Sequence, residues 1–314
     1  MSSSGSPEIL ELTPSPADLE ILRAMYPLYR AIFPSDEEAE TLENLERYLT
    51  LKAGDYYGDN SYHVLVMRME GRVVGFAIGD YYADPSVGVI EFLGVEEGRR
   101  GRGLGSALEE EFVRRVSADA AALGKELRGI FIEVEDPEIV GKWGSVGFWR
   151  RRGYMFVPVR YVQPPLSQGK RRAKDLRLMF RPVPRSTVME GDLLLAFLRS
   201  YFHYAMSIED PTSTEEYRRV ARRAGGRAFT LEDPGSSLIR SFSLRIFFTV
   251  DLLSSGRPEP EVRSAILGNL RGRVPYVSYG GGEREEAGGG GARGRRGGSG
   301  GRGRAAGGRG GAAI

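Results

Sequence analysis

The run Val89–Leu108, VIEFLGVEEGRRGRGLGSAL, constrains this 314-residue chain more than any other stretch. An apolar strand enters a turn rich in Gly and Arg, and that turn opens an amphipathic helix. Backbone amides at such a helix start can surround a phosphate, helped by the positive end of the helix dipole. Arg99, Arg100 and Arg102 add charge to the same corner. The turn reads as a pyrophosphate seat, and which pyrophosphate it seats largely decides the function.

Three nucleotide signatures compete for it. A Walker loop ends in Gly-Lys-Ser/Thr, whereas this chain has Gly103-Leu104-Gly105-Ser106. A dinucleotide fingerprint needs a third small residue in G-x-G-x-x-G/A. Counted from Gly101 that place holds Ser106, and counted from Gly103 it holds Leu108, so both frames miss. The remaining fit is Arg-x-x-Gly-x-Gly, filled by Arg100, Gly103 and Gly105 shortly after a strand ending at Val95.

The rest of the chain narrows the chemistry. With no cysteine, a disulfide framework, a Cys-ligated metal and a cysteine nucleophile are excluded. Only His63 and His203 are present, far apart, so neither a metal site nor a Ser-His triad is expected. No apolar run approaches the roughly 20 residues that cross a bilayer, and the first fifteen residues lack a signal-peptide pattern. The expected compartment is the cytoplasm. The net charge of +2 hides a split: seven arginines against three glutamates follow Gly280, leaving a body of 37 basic and 39 acidic residues. Bulk charge therefore gives the folded part no nucleic-acid surface.

Periodicity gives a coarse element order. A short strand at Ile9–Leu12 precedes a helix over Asp18–Phe33 and a second helix capped at Ser35 and reaching Leu51. A hairpin follows, Tyr62–Met69 and Val73–Tyr81 joined at Glu70-Gly71, then the strand Val87–Val95 and a helix from Gly103 to Leu123. Arg128–Val134 reads as a buried strand, Asp136–Gly153 as a broken helical segment, and Tyr154–Tyr161 and Leu176–Phe180 as strands. Beyond Pro184 the pattern turns helical, over Asp192–Met206, Thr214–Ala224, Leu238–Leu253 and Glu259–Asn269.

This order, the Arg-x-x-Gly-x-Gly turn and the later Phe148-Trp149-Arg150-Arg151-Arg152-Gly153-Tyr154 resemble the GNAT acetyltransferase superfamily. The resemblance covers roughly residues 7–182. It implies an α+β fold, a mixed and mostly antiparallel central sheet flanked by helices, with a mainly helical extension and a disordered Gly/Arg tail. The expected divisions are a frayed N-terminus at 1–6, the acetyltransferase domain at 7–184, the helical region at 185–279 and the tail at 280–314.

The resemblance also implies chemistry: direct transfer of an acetyl group from acetyl-CoA to an amine, with no metal. Backbone groups at Leu93, Gly94 and Val95 would hold the pantetheine where the strand splays from its neighbour. Arg100, Gly101, Arg102, Gly103, Leu104, Gly105 and Ser106 would hold the pyrophosphate. Glu91 on the motif strand is the candidate base. Trp149 stands where the family often has its proton-donating tyrosine, so Tyr154 becomes the candidate acid, with Tyr161 or water as alternatives. Glu133 and Glu135 share one strand face and, with Asp80 and Tyr82, would line a pocket for a cationic amine. A rival reading keeps the fold as a non-catalytic acyl-CoA-binding or regulatory module. The Gly/Arg tail resembles RNA-binding RGG segments without their aromatics, which leaves RNA as a possible partner; no membrane partner is expected, and the oligomeric state is open.

Overall fold

The computed structural model describes residues 6–36, 39–141, 143–165, 173 and 175–236. The elements run β1 (Glu8–Glu11), α1 (Pro16–Ile32), α2 (Leu42–Leu51), β2 (Ser61–Met69), β3 (Arg72–Tyr82) and β4 (Val87–Val95). They continue with α3 (Leu104–Ala122), β5 (Gly129–Glu135), α4 (Pro137–Val140), α5 (Gly144–Arg151), β6 (Met155–Phe156) and β7 (Leu176–Pro182). Last come β8 (Val188–Glu190), α6 (Gly191–Tyr204), α7 (Glu215–Ala224) and β9 (Ala228–Thr230). The helices expected at Leu238–Leu253 and Glu259–Asn269, the basic residues Lys170, Arg171, Arg172 and Lys174, and the tail at 280–314 lie outside the described residues.

Seven strands form one sheet in the order β1-β2-β3-β4-β5-β7-β6. Every pairing is antiparallel except β4 with β5, which the α3 crossover makes parallel. This is the expected α+β fold with its mixed, mostly antiparallel sheet. Strand parity sorts the core. Leu65, Ala77, Leu93, Ile130 and Ile132 turn toward α3 and α5. Val64, Val66, Phe76 and Ile78 turn toward α1 and α2 on the opposite face, and Tyr82, Val89 and Phe131 continue that second face beneath α6. Tyr62 touches both second-face clusters.

Local chemistry sets the boundaries. The second helix begins at Leu42, where Thr41 accepts a hydrogen bond from Asn44 N, and not at the expected Ser35 cap. The strand expected over Tyr154–Tyr161 shrinks to Met155–Phe156. Val157 still donates to Leu178 O, but Pro158 has no N–H to continue the ladder. The pair β8–β9 is an addition within the stretch read as helical. Thr214 caps α7 by accepting from Tyr217 N.

Helices α6 and α7 share a core with the sheet. Phe197 of α6 stacks on Phe131 of β5, centroids 3.9 Å apart at 7°, and Leu193, Leu194 and Leu198 are buried around them. At the sheet centre, a Cβ on Gly79 would stand 2.0 Å from Val89 O and 2.9 Å from the Phe112 ring, so only glycine lets α3 lie this close.

Candidate functional site

Two irregularities in β4 create the site. Ile78 pairs with Phe92 but Gly79 pairs with Ile90, so Glu91 is the extra residue of a β-bulge. On its other edge β4 pairs with β5 only from Val87–Gly129 to Ile90–Ile132. Beyond that point the two parallel strands part, and the β5-facing backbone of Phe92–Val95 has no strand partner.

The glycine turn lies at the far end of the parted strand. Gly101 and Gly103 adopt φ of +77° and +84°, which L side chains rarely take, and a Cβ at either would meet no protein atom within 4 Å. The demand for glycine here is therefore conformational. Gly103 is the N-cap of α3 and offers no capping side chain, and the first turn contains no acidic residue. The orphan amides are thus left for an external anion. Arg100 braces the turn, its Nε donating to Val95 O at 3.1 Å, and Arg99 pairs with Glu96 at 2.9 Å. Arg102 is exposed, while Leu104 and Gly105 are buried. The side chains of Leu93 and Val95 are packed under α3, and the space a Gly94 side chain would need is filled by Ile32 and Phe76. Only main-chain groups of this segment can serve a ligand between the strands. These features fit the pyrophosphate and pantetheine of a coenzyme A thioester.

Beside the parting, the second sheet face carries a set of acids. Asp80 is 0% exposed. Its Oδ1 accepts from Lys52 Nζ at 2.8 Å and Tyr57 OH at 2.6 Å, and its Oδ2 accepts from Tyr82 OH at 3.2 Å. Lys52, the C-cap of α2, keeps its ammonium 4.2 Å from the Tyr62 ring centroid and 4.9 Å from that of Tyr57. Lys52 and Tyr62 also border an open cleft of about 530 Å³ between α2 and the β1–α1 turn. Burial and the neighbouring Asp80 charge push the Glu91 carboxyl well above the usual carboxylate range, against the opposing pull of Lys52.

Glu133 follows Ile132, the last residue of β5 paired with β4. Tyr161 OH donates to its Oε1, while Gln163 Nε2 at 2.6 Å and Tyr201 OH at 3.0 Å donate to its Oε2. Burial pushes its carboxyl up, the three hydrogen bonds to the charged form hold it down, and it titrates at about 7. Glu135 lies two residues on, opposite Leu176 of β7.

The structure thus gathers Asp80, Tyr82, Glu91 and Glu133 on one face, next to the parted strands. Sequence reading missed Lys52, Tyr57 and Tyr201, for which no motif or spacing gives a signal. One expectation changes. Tyr154 lies on the α3 face, where its OH donates to Glu109 Oε1 at 3.1 Å. Glu109, 0% exposed, also holds Arg152 at 2.6 Å and Arg181, so Tyr154 belongs to a structural ion-pair core. Glu91 sits in the bulge on this face, its carboxyl raised by burial and by Asp80 against the pull of Lys52. Of the three arginines at 150–152, Arg150 pairs with Asp233 at 2.6 Å and Arg152 with Glu109. Trp149 is fully buried, and among the described residues its Nε1 has no hydrogen-bond partner. Among the described residues, no group of three His, Cys, Asp or Glu is placed to hold a metal, and no helix is long and apolar enough to cross a membrane.

The site is thus a mixed sheet parted between its two parallel strands, with the uncapped start of the connecting helix beyond the parting. The family model described as the acetyltransferase (GNAT) family matches residues 22–154, and that segment is a GNAT-family domain. No curated protein matches the sequence significantly. Among solved structures, a GNAT-family acetyltransferase from Bacteroides thetaiotaomicron is 21% identical, covering 62% of this chain and 96% of its own, with a TM-score of 0.45. The ribosomal-protein-S18-alanine N-acetyltransferase of Escherichia coli is 14% identical, covering 57% and 94%, TM-score 0.39. The ribosomal-protein-alanine N-acetyltransferase of Brucella melitensis is 22% identical, covering 56% and 99%, TM-score 0.39.

Proposed function

We propose that the protein is an N-acetyltransferase that moves the acetyl group of acetyl-CoA directly to a primary amine carrying positive charge. The parting of β4 from β5 directly beside Glu91 and Glu133 carries this reading. It opens a route for an extended thioester that ends against carboxyl groups suited to an ammonium. Acetyl-CoA supplies the activated acyl group. The α3 start, with Arg100 and Arg102 near it, holds the pyrophosphate, and the freed main chain of Phe92–Val95 pairs with the pantetheine.

Glu133, beside the parted strands and raised by burial to about 7, is the group suited to take the proton from the incoming ammonium. Asp80, held by Lys52, Tyr57 and Tyr82, supplies fixed negative charge beside it. The amine nitrogen then bonds to the acyl carbon, the C–S bond breaks, and the departing thiolate takes a proton. Tyr161, whose hydroxyl bonds Glu133, lies on this side of the sheet and is the tyrosine placed for that donation.

The rival reading, a binding module without turnover, draws on Trp149. An indole N–H gives up no useful proton at the place where the family often has tyrosine. Release of free CoA from acetyl-CoA in the presence of a panel of amines and N-terminal peptides decides between them. The expected result is turnover with cationic amines, lost at least 100-fold in Glu133→Gln. Tight acetyl-CoA binding without turnover on any amine overturns the transferase in favour of the module.

A further inference from the structure

The acetyltransferase match ends at residue 154, yet one helix beyond it touches Glu133 and the tyrosines that hold Asp80. On α6, Phe197, Tyr201 and Tyr204 recur at i, i+4 and i+7 and so share a face. Phe197 stacks on Phe131, which precedes Glu133 by two residues on the same side of β5. Tyr201 OH reaches the Glu133 carboxylate itself at 3.0 Å. The Tyr204 ring meets Tyr57 edge-on, centroids 5.0 Å apart, and lies over Tyr82 at 6.0 Å and 19°. Those two tyrosines are the ones whose hydroxyls hold Asp80.

We infer that α6 is a built-in component of the acceptor site and that Tyr201 is a positioning residue for the Glu133 carboxylate. The acceptor assignment rests on the transferase reading; the effect of Tyr201 on Glu133 does not. Glu133 has two rotatable bonds beyond Cβ, and among the described residues its oxygens are held by neutral donors, so its orientation depends on them. Gln163 and Tyr201 share Oε2 and Tyr161 takes Oε1, and only Tyr201 comes from a helix docked through a stacked ring. The other charged groups acting here are Glu91 from β4, felt at Tyr201, and Glu216 from α7, felt at Tyr161. Both are acids, so neither replaces a lost donor.

A hydroxyl donated to a carboxylate favours the charged form, and its removal raises the pH at which Glu133 protonates. In Tyr201→Phe the ring packing is kept and the donor is lost. The expected midpoint moves from about 7 to about 8. The test is a carbon NMR titration of the full chain, labelled at glutamate side-chain carboxyls and free of cofactor, with Glu133→Gln assigning the signal. Tyr204→Phe keeps the midpoint at about 7 and serves as the packing control. Replacing Tyr201 by 3-fluorotyrosine, a stronger donor of nearly the same volume, moves the midpoint below 7 and covers the case in which Tyr201→Phe fails to fold. An unmoved midpoint in a folded Tyr201→Phe, or an equal shift in Tyr204→Phe, overturns the assignment of Tyr201. In the CoA-release assay, the acidic limb of kcat/KM moves with the NMR midpoint while KM for acetyl-CoA stays fixed. A limb that stays put while the NMR midpoint moves overturns the acceptor-site role of α6. Absence of turnover on every amine refutes the transferase reading and with it that role, while the titration still decides whether Tyr201 positions Glu133.

Discussion

His63 couples three elements through its charge, and that coupling makes a quantitative prediction. It lies on β2, with Nδ1 2.5 Å from Glu11 Oε1 on β1 and Nε2 2.7 Å from Asp119 Oδ2 on α3. Only a doubly protonated ring can donate to both carboxylates. Burial alone would lower its pKa, but the two acids overcome it and raise the value from the ordinary 6.5 to about 9. The folded value lies above the unfolded one, so the stabilisation is complete below pH 6.5 and is lost as pH rises through 9. A gap of this size corresponds to about 3 kcal/mol. His63→Gln removes the titration while keeping a polar side chain. In urea unfolding followed by circular dichroism, the stability gap between wild type and His63→Gln shrinks by about 3 kcal/mol between pH 6 and pH 10. A gap that is the same at both pH values would mean that the ring is neutral in the folded protein and would refute the reasoning.

Two further perturbations test other parts of the structure. Glu109→Ala leaves Arg152 and Arg181 without their buried partner and costs about 3–5 kcal/mol; a thermal melt within a degree or two of wild type would show that the ion pairs contribute nothing. Gly103→Val forces a β-branched residue to the φ of +84° and costs about 1–2 kcal/mol. It also weakens coenzyme A binding by calorimetry, whereas Gly98→Ala, where a Cβ meets no neighbour and φ is not in the left-handed region, leaves binding unchanged.

Features coded by consecutive residues were legible in the sequence. The strand, turn and helix from Val87 to Ala122 follow from local apolar spacing and glycine, and strand parity groups Asp80 with Tyr82 and Glu133 with Glu135. The bulge at Glu91 was not legible, because β4 is apolar on both faces and the one-residue slip in its alternation is therefore masked. Lys52 was hidden for a different reason. It reaches Asp80 across 28 positions from a helix cap, and a lysine at a helix end ordinarily signals only a solvated terminus. Tyr201 was hidden because the apolar face of α6 says that the helix docks, without saying on what. Tyr154 misled because a match to a local segment does not specify which face of the sheet a side chain reaches.

The parting of β4 and β5 after Ile90 and Ile132 also has a topological consequence. An unpaired strand edge on the rim of a sheet is an invitation to any passing chain, and proteins usually blunt it with lysine, proline or a covering loop. Here the unpaired edge is interior, flanked by a partner strand that rejoins it a few residues earlier. A second protein strand has no way to enter the closed end of such a fork. The slender, flexible thioester arm proposed above, with its own amides, would thread from the glycine turn toward the crotch. The sheet can therefore leave a strand edge unpaired in its middle without courting aggregation, and under that proposal girth is the first test a ligand must pass.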